Sequence, residues 1–296
     1  MIKDYIKKVK ANTGIYATKK SNSILDGSYL SVFMGRSLNF EDLREYVPGD
    51  SIKDIDWKAS SRNGSLLVKR YIAEKKHNIL IVADTGKKMK GETLGGEDKK
   101  EIALLTAGTI SYIAYRNGDN IGALYNVDGK LEYHPLKTGL VNVEKFLTHY
   151  NADIFKGEKS NISKPLSFIL SSLKRRMIVF VITDMEGAAS IDESLLKQLR
   201  CKADVLFVNI TDADIVHVKE KKKKIFDLDG NRYMPAFISR DKRLAAMEKE
   251  YKETLKTETE NKLNKCGIAS VDISKETEVT QKVLELLEKY KNVNIR

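Results

Sequence analysis

The chain has 296 residues, of which 42% are hydrophobic and 31% charged, with four prolines and 18 glycines. At roughly 100–200 residues per domain this allows one large domain or two small ones, and it excludes disorder and a proline-rich or low-complexity tether. A formal net charge of +11 raises nucleic acid as a partner. The excess, however, sits in N-terminal lysines (Lys3, Lys7, Lys8, Lys10, Lys19, Lys20) and in Lys219 to Lys224, without interleaved aromatics or many arginines. That pattern suits neither base stacking nor bidentate base readout; it reads as a solvated face and a basic turn, or as a patch for an acidic partner.

In chain order, Ile2, Tyr5, Ile6 and Val9 recur at helical spacing and predict a short amphipathic helix. From Gly14 to Asp56 no period is sustained, and Leu66 to Ile72 then reads as a strand. After His77 short apolar runs recur: Ile79 to Ala83, Ile121 to Tyr125, Met177 to Ile182, Val205 to Ile210 and a weaker Ile268 to Ile273. Runs of this length suit strands covered on both faces. Helical patterns separate them, at Lys100 to Arg116, Val143 to Tyr150, Leu166 to Leu173, Leu195 to Cys201 and Lys242 to Lys265, with a last helix over Glu278 to Tyr290. The alternation predicts a doubly wound α/β sheet over residues 77–296, preceded by a smaller irregular segment, residues 1–76, packed on it. No run approaches the ~20 apolar residues that cross a bilayer, and residues 1–10 lack the apolar stretch of a secretory signal. The expectation is a soluble cytoplasmic protein with no membrane partner, in which Cys201 and Cys266 are reduced thiols.

In such sheets ligands bind beyond the carboxyl ends of the strands, where the strand order reverses. Asp84 and Asp184 each follow an apolar run and fall at that edge. Two carboxylates brought together there require a cation, a proton or a lysine to balance them; alternatively each caps the helix that follows. Enzyme signatures are missing. There is no Walker loop, dinucleotide fingerprint or Gly-x-Ser-x-Gly elbow, and His77, His134, His149 and His217 show no metal-ligand spacing.

Several motifs then follow in series: Gly35-Arg-Ser-Leu-Asn-Phe40, Leu43-Arg-Glu-Tyr-Val-Pro-Gly-Asp50, Ile55-Asp-Trp57, Ser60-Ser-Arg62 and Leu67-Val-Lys-Arg-Tyr71. Together they closely resemble the signature of the family called domain of unknown function 58. The resemblance implies a von Willebrand factor A-like, Rossmann-like sheet, whose first strand ends in Asp-x-Ser-x-Ser and can hold Mg²⁺ or Mn²⁺ in an adhesion site. Here that stretch is Asp84-Thr-Gly-Lys-Lys-Met89. Asp84 is kept, Asp184 matches the third-loop aspartate, and Thr138 is a candidate second-loop threonine, but Gly86 and Lys88 stand where the hydroxyls should be. The expectation is a degenerate, metal-free site with the Lys88 ammonium balancing Asp84 and Asp184. The alternative is a weak Mg²⁺ or Mn²⁺ site on Asp84 and Asp184, helped by the Thr85 hydroxyl. In the signature, Asp50, Asp54 and Asp56 gather around Trp57 with Arg44, Lys53 and Arg62, read as a buried ion-pair network or a recognition surface. The resemblance also implies a partner, a MoxR-type AAA+ ATPase. The functional expectation is therefore a non-catalytic protein-binding adaptor, with a metal-dependent binder or a metal-assisted hydrolase as alternatives.

Overall fold

A run such as Ile79-Leu-Ile-Val-Ala83 has no polar side, so both faces of its strand need cover. The computed structural model supplies that cover; it describes residues 42–50, 55–70, 76–127, 129–154, 162–172, 176–214 and 241–295, with short pieces at 7, 52, 156, 226–228, 232–233 and 235. The first elements are β1 (Asp42–Glu45), α1 (Trp57–Asn63) and β2 (Leu67–Arg70). Next come β3 (Asn78–Ala83), α2 (Lys99–Arg116), β4 (Asn120–Val127), β5 (Lys130–Lys137), α3 (Leu140–Asp153) and α4 (Ser163–Ser172). The chain continues through β6 (Ile178–Asp184), α5 (Met185–Ala189), α6 (Glu193–Lys202), β7 (Asp204–Ile210) and the two-residue strands β8 (Phe226–Asp227) and β9 (Arg232–Tyr233). It closes with α7 (Lys242–Lys265), β10 (Ala269–Ile273) and α8 (Val279–Ile295).

Six strands form one sheet in the order β10-β7-β6-β3-β4-β5. All pairings are parallel except that of β4 with β5. The chain builds outward from β3 to β4 and β5, then returns to β3's other side with β6. The order therefore reverses between β3 and β6, and the carboxyl ends of these two central strands meet there. Alternate residues of β3 serve different layers. Ile79 and Ile81 join a core with residues of α2, α3 and α8, while Leu80 and Val82 join one with residues of α4, α6 and α7. None of these four side chains is exposed. The fold is a mixed α/β one, with helices flanking a mostly parallel sheet.

The structure departs from the sequence expectation in three ways. An antiparallel edge strand, β5, follows β4; its mixed burial and Pro135 hide it among polar residues. The irregular stretch before residue 56 contains β1, which pairs with β2. A short helix, α1, sits between them, capped by Asp56, whose carboxylate accepts from the Lys58 and Ala59 amides at 3.1 and 3.0 Å. Apart from helical Lys7, the expected helix at 2–9 lies outside the described residues, as do Lys219 to Lys224. No helix among the described residues is long and apolar enough to cross a membrane.

Cys201 is exposed and Cys266 is buried, and neither is in a disulfide. Burial pushes the Cys266 thiol above its ordinary range. In native buffer a thiol reagent should therefore modify Cys201 within minutes and Cys266 only on unfolding. Rapid modification of both would show that the C-terminal end of α7 is not closed over Cys266.

Candidate functional site

Asp84 follows β3 and Asp184 ends β6, so the two expected aspartates do meet at the switch point. Both are buried, at 3% and 1% exposure. Asp84 makes a turn of its own loop: one carboxylate oxygen accepts from the Gly86 amide at 2.8 Å and the other from the Thr183 hydroxyl at 2.7 Å. Its backbone carbonyl accepts from the Tyr150 hydroxyl at 2.8 Å, which ties α3 to the same corner. Asp184 caps α5, accepting from the Gly187 amide at 2.7 Å. The far end of α5 is closed by Lys262, whose ammonium donates to the carbonyls of Ala188, Ala189 and Ile191 at 3.2, 2.7 and 2.8 Å. A cation on the last carbonyls of a helix is the favourable end for its dipole.

The remaining oxygen of Asp184 faces Lys99, whose Nζ is 3.3 Å away. Lys99 begins α2, is not exposed at all, and also bonds the Asp212 carboxylate. The cation expected from Lys88 against Asp184 thus comes from Lys99, a correction to the sequence reading. Lys88 lies in the 3-10 turn Lys87–Lys90, half-buried, and pairs with Glu186 nearer the surface. Thr138 is corrected as well. It follows β5, whose Lys137 pairs with Ile121 at the amino end of β4, so this exposed threonine stands at the opposite edge of the sheet. Gly86 is buried and contributes its amide rather than a side chain. The Thr85 hydroxyl donates to the Asn126 carbonyl.

With the Lys99 ammonium set against Asp184, these groups do not favour a divalent ion. Such an ion takes six or more oxygens with near-regular geometry when it is Mg²⁺. Here all four oxygens of Asp84 and Asp184 already accept hydrogen bonds, one of them from an ammonium. Among the described residues no group of three or more His, Cys, Asp or Glu is disposed to hold a metal. The Tyr150 phenol, buried beside Asp84, is raised well above its ordinary range, so it stays a donor. Burial likewise pushes the Asp212 carboxyl up, with Asp184 adding to the effect and Lys99 opposing it.

The model of the family described as "Protein of unknown function DUF58" matches residues 42–219, from β1 to beyond β7. The chain belongs to the DUF58 family. Two curated relatives, Uncharacterized protein Mb1516 of Mycobacterium bovis and Uncharacterized protein Rv1480 of Mycobacterium tuberculosis, are each 21% identical over 196 residues. The match covers 66% of this chain and 61% of theirs, so the chain spans less than two thirds of the length of these relatives. Among solved structures it is similar to conserved hypothetical protein BatB from Bacteroides thetaiotaomicron, with TM-score 0.44 and 15% identity over 73% of this chain and 99% of that one. It is also similar to an aerotolerance-related membrane protein from Bacteroides fragilis, with TM-score 0.40 and 15% identity over 72% and 99%.

Lys53, Asp54 and residues 35–40 of the DUF58 signature lie outside the described residues; those that are described form a local unit, with no buried ion-pair network among them. Arg44 pairs with Asp50 at 2.5 Å, and Asp50 also accepts from the Val47 amide at 3.0 Å, closing a surface turn. The guanidinium and that amide hold the Asp50 carboxyl below its usual range. Asp56 is the α1 cap, while Arg62 and Trp57 face outward, Trp57 at 63% exposure. Instead, Ile55 is buried against β2 in a bridge to Val68, and the Ser60 hydroxyl accepts from the Leu67 amide at 2.8 Å.

Lys99 and Asp212 were missed by sequence reasoning, although both left a trace. Lys99 precedes Ile102, Ala103, Thr106 and Ile110 at helical spacing, on a buried face, so it is a lysine where an apolar residue belongs. Asp212 ends Ile210-Thr-Asp212, a repeat of Ile182-Thr-Asp184.

Gly187 carries the closest approach in the corner. A Cβ there would meet the Thr183 hydroxyl at 2.1 Å, an Asp84 oxygen at 3.1 Å and an Asp184 oxygen at 3.2 Å. Gly187→Ala should lower the unfolding free energy by about 1–3 kcal/mol, as overpacking of a closed site does. Urea denaturation reads this directly; an unchanged midpoint would mean that the two carboxylates do not close on this glycine.

Proposed function

We propose that the chain is a non-catalytic protein-binding module on a von Willebrand factor A-like sheet, docking on a MoxR-type AAA+ ATPase without a divalent ion. The strand order, the antiparallel edge strand and the aspartates ending β3 and β6 support the sheet type. The partner class rests on the resemblance of the signature residues. One observation carries the non-catalytic reading: each carboxylate oxygen of the two switch-point aspartates already accepts from an internal donor, one of them a lysine. A hydrolytic centre works through a metal-activated water or a base free to take a proton, and donors engaged at every oxygen work against both.

A binding role needs a surface held in shape, and the same edge offers one. The loop at 91–98 is stitched to the carboxyl ends of β7 and β10. The Ala213 amide donates to Glu92 O at 2.9 Å, the Thr93 hydroxyl to Ser274 O at 2.6 Å, and the Leu94 amide to the Thr211 hydroxyl at 3.3 Å. Gly95 passes so close that a Cβ would meet Ser274 O at 2.4 Å. On this rigid loop Leu94 is 61% exposed, with Lys87, Lys88, Lys90 and Glu186 on the neighbouring turn and helix. An exposed apolar residue on a loop already ordered, with charged residues on the preceding turn, is the composition of a docking point. The ATPase face that meets it is therefore acidic around an apolar pocket.

The test is a binding titration against a purified MoxR-type ATPase. Leu94→Asp and Lys88→Glu should each weaken binding at least tenfold with an unchanged melting temperature, and EDTA should have no effect. Release of the partner by EDTA would instead favour the metal-dependent binder, and tight binding by Leu94→Asp would remove this edge from the interface.

A further inference from the structure

Lys99 is costly where it stands. It is the first residue of an 18-residue helix, the end at which a positive charge opposes the helix dipole. Its side chain is 1% exposed, so its ammonium has been taken out of water. The backbone holds it there: the Lys99 amide donates to Gly91 O at 3.0 Å, and the Asp98 cap fixes the start of the helix. The ammonium reaches two carboxylates on different loops, Asp184 at the end of β6 and Asp212 beyond β7. Those two strands are adjacent, with Asp184 paired to Ile210, so the carboxylates would repel one another across the corner without a cation.

We propose that Lys99 is a tethered cation that takes the part of a divalent ion at the switch point, fastening the loops after β6 and β7 to the start of α2. The inference rests on the metal-independent reading of the same edge and gives it a cause. A bound ion dissociates, and a loop that depends on it opens when the ion is lost. A cation attached through its own helix does not leave, so the edge is assembled at all times. Lys88, on the rim, pairs with Glu186.

The experiment is a set of thermal melts of the full chain with and without 1 mM Mn²⁺, an ion that accepts all-oxygen sites. The wild-type chain should not respond. Lys99→Met should melt on the order of 10 °C lower, because the buried Asp184 and its partly exposed neighbour Asp212 have lost their shared cation. Mn²⁺ should then restore about 5–10 °C, the effect of a ligand near 100 times its dissociation constant. Adding Asp184→Asn to Lys99→Met should recover more than half of the loss and abolish the Mn²⁺ response, since asparagine keeps the α5 cap and removes the charge. This double variant also decides the matter if Lys99→Met alone does not fold. The proposal is overturned by a Mn²⁺ response in the wild type, by a Lys99→Met variant that melts normally or ignores Mn²⁺, or by a double variant no better than the single one. No partner is present in these melts, so their outcome is separate from whether the chain docks on an ATPase.

Discussion

A buried carboxylate is tolerated only when its oxygens have donors, and two of them at adjacent strand ends add mutual repulsion. Much of the carboxyl edge of this sheet follows from that constraint. Asp84 is kept by a hydroxyl on the neighbouring strand and an amide of its own turn. Asp184 is kept by the amide of a helix that begins on it and by Lys99. Gly187 sits where any side chain would strike the Thr183 hydroxyl and crowd both acids. The tie from Tyr150 to Asp84 and the closing of α5 by Lys262 extend the same corner to α3 and α7.

A corner satisfied in this way is closely tied to the elements around it. Catalysis requires a group left reactive, with an open coordination position or a proton poised near the working pH. Here the phenol is locked as a donor and the carboxylates as acceptors. Binding has the opposite requirement, a surface whose ordering cost has already been met during folding. The loop at 91–98, fastened to residues beyond β7 and β10, meets it and leaves Leu94 outward.

How much of this was legible in the sequence depends on what each segment buries. Four of the five parallel strands stood out because both their faces are covered, which forces continuous apolar runs such as Ile79 to Ala83, Met177 to Ile182 and Val205 to Ile210, whereas β10 at the edge buries alternate residues and gave the weaker run. With them came Asp84 and Asp184, since an acid directly after such a run must fall at the carboxyl edge. β5 was missed because an edge strand has one neighbour and a half-wet face, so its sequence looks like a loop. That omission misplaced Thr138: one extra strand returns the chain to the amino end of the sheet before α3 starts. Trp57 stood at the centre of a stretch read as a buried ion-pair network or a recognition surface, and it is the exposed first residue of a seven-residue helix that buries only Ser60. Lys99 escaped because lysine is read as a surface residue by default, and only its place on the buried face of α2 marks it as an exception.

The depth of each charge explains why Lys99 and not Lys88 serves Asp184. Lys88 sits on a turn with its side chain 29% exposed, so its ammonium keeps part of its hydration and pairs with the half-exposed Glu186. Lys99 enters from beneath on a buried stem and meets Asp184 at 1% exposure, whereas its second partner, Asp212, retains 35%. The single positive charge thus neutralises the acid that has no access to water, and the shallower acid is partly solvated. Salt screens exposed pairs far more than buried ones, so rising ionic strength should loosen Lys88 from Glu186 while the Lys99 tether holds. The rim charges can then respond to their surroundings without altering the frame that presents them.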